Sequence, residues 1–294
     1  MKVGLAIALA ISACGGNATH GATIVAMRMS CPDGQRFDGH ACAKWGDAPT
    51  KLEAGWKAVV AQDPDAIKAA VDAAEKEAPL DHESNIRLWE ERGIGLAYGD
   101  DEPAAKVAFD MMLALDPSHI LDYSLSQKAT LAFEGARKVV PAPPAVDVNW
   151  ARGQKVGDPM PIDIEVVADP KKFLHRATVF VRSRGEASWR ATDLDLDKTA
   201  EHHLVLPPVV AQRPVSLELY LRAYDAVGNE VLAWADAKRP REIALRYEPP
   251  TPWYRKWWVI TAAASAVAIA TGVTVYELTI APPATVDGGV MIKK

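Results

Sequence analysis

Charge of one sign is scarce in this sequence. Thirty-three basic and 38 acidic residues among 294 leave a net charge of -5, and no basic tract interrupts the balance. The electrostatic footprint of a nucleic-acid binder is therefore missing, and no nucleic-acid partner is expected. Catalytic signatures are scarce too. There is no Gly-x-Ser-x-Gly turn, no P-loop and no His-Glu-x-x-His helix. Gly93, Gly95 and Gly99 approach a dinucleotide-binding glycine pattern. They lie in helical sequence, however, not between a strand and a helix, and the last glycine comes one residue late. Asp193, Asp195 and Asp197 could begin a calcium loop, but Lys198 and Leu204 stand where its glycine and glutamate belong. His202 and His203 are adjacent, so on a strand they point to opposite faces and cannot share one metal. No cofactor or metal site is expected, and no catalytic residue.

Cysteine is also rare, with three in the chain. Cys31 and Cys42 flank a segment rich in turn formers, including Pro32, Gly34 and Gly39. The two ends can meet, and a bridge closing such a loop stabilises by roughly 3 kcal/mol. With His40 they would give only three zinc ligands at the wrong spacing. A Cys31–Cys42 disulfide leaves Cys14 as the odd one. Three unrelated thiols are the alternative.

Cys14 stands in a telling place. Lys2 is followed by the apolar run from Val3 to Ile11, then by Ile11-Ser12-Ala13-Cys14 and two glycines. That order is an export-signal pattern. The last four residues resemble a bacterial lipobox, in which the cysteine is lipidated and becomes the mature N-terminus. The run is short for such a signal. An ordinary signal peptide and a misplaced start codon remain open beside the lipoprotein reading.

Near the other end, residues 257–276 hold no charge, and about 20 such residues span a hydrocarbon core. Trp253, Tyr254, Trp257 and Trp258 cluster at one end and Tyr276 at the other, as an interfacial belt would. A transmembrane helix is expected there, with a buried Ala-rich helix as the alternative. Arg255 and Lys256 would put the large region in the cytoplasm under the positive-inside rule. The signal and the paired cysteines argue for the outside, and these two independent features agree.

Between these ends the periodicity changes once. From Pro49 to Val140 apolar residues recur every three or four positions, which predicts helices over Leu52–Ala61, Asp65–Glu77, Ser84–Tyr98, Pro103–Leu115 and Gln127–Val139. Trp89, Gly93, Ala105, Phe109 and Pro117 fall at the spacings of a tetratricopeptide repeat, and Ile86 to His119 resembles that family. Arg92 and Leu96 depart from its preferences. The resemblance implies a short helical array in which Gly93 and Ala105 let two helices approach while Trp89 and Phe109 fill the gap. After the proline-rich 141–145 the period becomes two. Ile162, Ile164 and Val166 alternate with polar residues, as do Ala177, Val179 and Val181, then Leu217, Leu219 and Leu221. This predicts an antiparallel sandwich. Leu221 to Val231, with Gly228-Asn229 at its turn, resembles the late hairpin of fibronectin-type or immunoglobulin-like modules. Arg176, Arg182 and Arg184 could share a strand face. They read as a solvated edge, with an acidic partner or a lipid headgroup as the alternative.

The expected organisation is a signal peptide over 1–13, a linker with the Cys31–Cys42 loop over 14–48 and a tetratricopeptide-like helical domain over 49–140. A linker over 141–145, an immunoglobulin-like β-sandwich over 146–248 and a linker over 249–256 follow. A transmembrane helix over 257–276 and a tail over 277–294 complete it. The order resembles exported membrane proteins of predatory and social bacteria. The resemblance implies a non-enzymatic scaffold or adaptor of the bacterial cell envelope, its soluble domains periplasmic. It would be anchored by the C-terminal helix and by a lipid on Cys14, and would bind protein partners. An envelope sensor subunit and a cell-wall-active enzyme are the alternative readings.

Overall fold

The computed structural model describes residues 24–32, 34–122, 124–139, 142–197, 199–249, 252 and 255–279. The signal segment, Cys14, Trp253, Tyr254 and residues 280–294 lie outside the described residues. The chain divides into two compact units, 1–247 and 248–294.

Among the described residues of the first unit are five helices, four of which start where an acid or a serine caps them. These are α1 (Ala48–Ala61), α2 (Pro64–Glu75), α3 (His82–Tyr98), α4 (Glu102–Leu115) and α5 (Gln127–Arg137). Asp63, Asp81, Asp101 and Ser126 each accept the amide three residues on, at Ala66, Ser84, Ala104 and Ala129. Such a cap satisfies a donor the first turn cannot use internally. The helices bury one core, whose largest closed side chains include Leu52, Ile67, Ile94, Phe109, Met112 and Phe133. Phe109 and Phe133 meet edge to face with centroids 5.6 Å apart. Gly93 is required where it stands, because a Cβ there would lie 2.7 Å from the Phe109 ring.

The tetratricopeptide expectation is corrected. In a solenoid each repeat touches only its neighbours. Here α3 packs against α1, α2, α4 and α5 together, so it is the hub of a bundle. Gly93, Ala105 and Phe109 do pack together, as any close antiparallel helix pair requires. Trp89 instead packs against both the helical core and the apolar core of the sheets, with the Arg92 guanidinium over its ring. Pro117 simply follows the end of α4.

Three antiparallel sheets accompany the bundle. The largest runs β1 (Arg28–Met29), β7 (Arg190–Asp195), β6 (Arg176–Ser183) and β9 (Val215–Tyr224). The far edge of β9 is shared. β10 (Glu230–Trp234) pairs with Leu221–Tyr224 and β11 (Arg241–Leu245) pairs with Val215–Leu219. A second sheet holds β4 (Ala145–Trp150), β5 (Met160–Ala168) and β8 (Glu201–Leu206), and a third is the hairpin of β2 (Gln35–Phe37) and β3 (Cys42–Lys44). Alternate residues of the first two sheets close on one core. Val148, Ile162, Ile164 and Leu204 enter it from one side, and Val179, Leu219, Leu221 and Ile243 from the other. Ala114 and Leu115 of α4 extend this core toward the helices.

The immunoglobulin-like assignment is corrected as well. The large sheet takes its β1 strand from sequence that precedes the helices, so the strands of 146–248 are not a self-contained sandwich. With about 35% helix and 28% strand, the fold is a mixture of helices and antiparallel sheets, in place of an array followed by a separate sandwich.

The second unit contains α6 (Trp257–Thr279). Among the described residues, no helix is long and apolar enough to cross a membrane. The transmembrane span expected over 257–276 is corrected on that finding, and the aromatic belt of Trp257, Trp258 and Tyr276 loses the span it would flank. Trp257, Trp258, Ile260, Val267 and Ile269 leave large apolar side chains exposed on it, set among smaller residues. Ala262, Ala264, Ala266, Ala268 and Ala270 carry one methyl each. The hydroxyls of Thr261, Ser265, Thr271 and Thr274 donate to the carbonyls four residues back at 2.8–2.9 Å.

Candidate functional site: an arginine-lined groove under the disulfide hairpin

The same alternation that fills the core of the large sheet decides what its other face carries. Opposite pairs across β6 and β9 are Arg176 with Tyr224, Thr178 with Arg222, Phe180 with Tyr220, and Arg182 with Glu218. Cations and rings therefore interleave over this outer face. Phe180 and Tyr220 stack 4.4 Å apart, and Trp189 meets Tyr220 edge-on at 4.6 Å. Guanidiniums lie over rings at Arg182–Trp189 (4.1 Å), Arg176–Tyr224 (5.3 Å) and Arg222–Tyr220 (5.6 Å). Each such contact is worth roughly 0.5–2 kcal/mol, more where water is excluded.

The β2–β3 hairpin covers part of this face. Cys31 and Cys42 are bridged, with Cα atoms 5.5 Å apart, as the sequence predicts. Asp38 turns the hairpin by accepting the amides of His40 and Ala41, both at 2.8 Å, and those bonds hold its carboxyl below the usual range. Gly39 takes φ +108° there, a conformation that disfavours side-chain-bearing residues. Arg28, just before the hairpin, sets its guanidinium 3.8 Å from the Phe37 ring centre. Arg36 lies 5.9 Å from that of Trp45.

Between hairpin and sheet lies a cavity of about 190 Å³, lined by Arg28, Arg36, Phe37, Trp45, Arg176 and Arg222 among others. Two of its arginines are spoken for. Arg28 grips both oxygens of Asp193 at 3.1 Å, and Thr178 donates to the same carboxylate at 2.6 Å. Arg222 pairs with Glu230 at 3.2 Å. Burial pushes the Glu230 carboxyl up, and the Arg222 charge opposes that shift. Burial also pushes the Tyr224 phenol up. Arg36 and Arg176 have no carboxylate within ion-pairing distance among the described residues.

Glu230 also ties this site to the helices. Its amide donates to Leu80 O at 2.9 Å, and its carbonyl accepts from Asn85 Nδ2 at 3.3 Å. Leu80 N donates to Asn229 Oδ1 at 2.8 Å. Asp225 fixes the preceding turn by accepting the amides of Val227, Gly228 and Asn229 at 2.7–2.9 Å. The hairpin singled out in the sequence is thus the seat of the helical bundle. His82, within 3.4 Å of Glu230 O, has its pKa lowered chiefly by burial.

The arginines expected at a solvated edge stand elsewhere. β6 is paired on both sides, so it is interior to its sheet. Arg182 pairs with Glu218 at 2.5 Å and Arg184 with Glu242 at 3.1 Å, while Arg176 lines the groove. His203 bonds Asp163 at 2.6 Å, which raises its pKa, whereas His202 is buried. Among the described residues, no group of three or more His, Cys, Asp or Glu could hold a metal ion. Sequence reasoning missed Arg28, Arg36, Arg222 and Glu230. The one local signal for them is the outward register of β9, where Glu218, Tyr220, Arg222 and Tyr224 alternate with aliphatics.

No family model matches the chain, and no curated protein matches it. Among solved structures, a myokine is 11% identical with a TM-score of 0.25, and the match covers 37% of this chain and 98% of that one. A cohesin module from the family 33 glycoside hydrolase of Clostridium perfringens ATCC13124 is 10% identical with a TM-score of 0.25, covering 36% and 97%. Likeness at that level defines no shared fold.

Proposed function

We propose that the protein is a non-enzymatic adaptor of the bacterial cell envelope, exported, held at a membrane by a lipid on Cys14, and binding a protein partner with its helix–sheet body. The observation that carries this reading is the groove on the outer face of the large sheet. Its guanidiniums stay charged at any physiological pH and do not serve as acids or bases. With their ring neighbours they are suited to recognition. The Cys31–Cys42 bridge supports export, because such bonds persist in oxidising compartments. The sequence at Cys14 supports the lipid.

The test follows the full chain and its Cys14→Ser variant in cells fed a palmitate analogue. The expected result is label on the native chain only, with the native chain in the envelope fraction and chemically cross-linked there to a second protein of defined mass. An unlabelled native chain found in the cytoplasm without an adduct would contradict the proposal.

A further inference from the structure

We infer that the cavity under the disulfide hairpin is a carboxylate-binding site, made to take an acidic side chain or chain terminus of the partner protein. The inference rests on the adaptor reading and names the chemistry of its contact. Four guanidiniums line the cavity or its wall, from Arg28, Arg36, Arg176 and Arg222. Two carboxylates, Asp193 and Glu230, answer Arg28 and Arg222. Arg36 and Arg176 form no such close ion pair among the described residues, although Asp38 lies near enough to Arg36 to feel its charge. The Nε atoms of Arg28 and Arg36 are cut off from solvent with no hydrogen-bond partner among the described atoms. Buried donors without partners are costly and uncommon in folded proteins. Both belong to residues that line this one cavity, so an anion there would lie beside guanidiniums whose donors the fold leaves partly unused.

Size and charge narrow the ligand. About 190 Å³ is room for one small group, not for a folded surface. A carboxylate matches the planar fork of arginine and accepts two parallel bonds from it. A doubly charged phosphate suits the surroundings less well. The adjoining cavity shares Arg36 and Arg176 but is rimmed by Asp38, Asp193, Asp195, Asp197 and Asp225, which would repel a second negative charge. The rings of Phe37, Trp45, Phe180 and Tyr220 line the site beside its guanidiniums. The hairpin, held by its disulfide and by Asp38, keeps Arg36 in place before any ligand arrives, which lowers the ordering cost of binding.

Calorimetry on the full oxidised chain tests this, with a capped glycine peptide carrying a single glutamate, its single-glutamine counterpart and inorganic phosphate as probes. The glutamate peptide should bind, more weakly as salt rises, and the glutamine peptide should give no heat. The Arg36→Gln/Arg176→Gln variant should lose at least about tenfold in affinity while melting within a few degrees of the native chain. Phosphate binding as tightly as the glutamate peptide would overturn carboxylate selectivity. Unchanged glutamate affinity in the double variant would overturn the site. If that variant misfolds, Asp193→Asn supplies the second reading. It frees Arg28 and should tighten glutamate binding, and weaker or equal binding would overturn the proposal. A partner adduct that persists at native yield in the double variant would leave the adaptor reading standing while this inference fell.

Discussion

The two faces of the six-stranded sheet come from the same strands and follow opposite rules. On β9 the residues Leu217, Leu219, Leu221 and Ala223 point into the core, each 3% exposed or less. Between them Glu218, Tyr220, Arg222 and Tyr224 form the outer face. The inner set is interchangeable chemistry held by close packing, where the cost of change is the cavity left behind. The outer set is specific chemistry held by pairing, where the cost of change is a group left without its partner. Stability therefore concentrates on one face and recognition on the other, one residue apart along the chain.

Substitutions on either side of that divide should behave differently. Leu219→Ala, on the closed face, should cost about 2–5 kcal/mol in urea denaturation. A loss under 1 kcal/mol would mean that the inner face is not the closed core described.

Glu91 is the exception that sharpens the contrast, a carboxyl with no exposed surface inside the helical bundle. Burial pushes its pKa from 4.5 up to about 7, against the lowering effect of Arg87, which bonds it at 3.0 Å. An acid whose pKa is raised by folding binds its proton more tightly in the folded state. Its contribution is fully present below about pH 4.5 and is lost as pH rises to about 7, a difference of about 3 kcal/mol at most. Comparing Tm between pH 4.5 and 7.5 for the native chain and Glu91→Gln should show a steeper fall in the native chain. Parallel profiles would place the carboxyl in contact with water.

Gly93→Ala should follow, costing about 1–3 kcal/mol by crowding, because the new methyl would sit 2.7 Å from Phe109. Pairing it with Phe109→Leu should recover part of that loss. Without such recovery the close approach of α3 and α4 would be wrong. Arg176→Gln, on the outer face beside buried Ala177, should change stability least, by about 0.5–1 kcal/mol, the scale of one partly exposed guanidinium–ring contact. A loss of several kcal/mol would make the groove arginines structural.

What the sequence made legible follows from range. Helix placement was readable because apolar recurrence is local: α2, α3, α4 and α5 begin at 64, 82, 102 and 127, against expected starts at 65, 84, 103 and 127. The inward register of β5, β6 and β9 was readable because alternation is local. The groove was not, because it is assembled from distant pieces. Arg28 meets Asp193 across 165 residues, and β1 is two residues long, too short for any period. The tetratricopeptide spacing misled for a related reason. Gly93, Ala105 and Phe109 record how closely two helices approach, and a bundle needs that contact as much as a solenoid does. At α6 the uncharged run did form a helix, but among the described residues no helix is long and apolar enough to cross a membrane.

The central claim is that the protein meets its partner on the outer face beneath the disulfide hairpin. A photo-reactive amino acid placed at Trp45, and separately at Glu165 on the exposed face of β5, would test it in intact cells. The account predicts a discrete protein adduct from position 45, absent from position 165 and lost when Arg36 and Arg176 are both changed to Gln. Equal adducts from both positions, or one from position 165 alone, would contradict it.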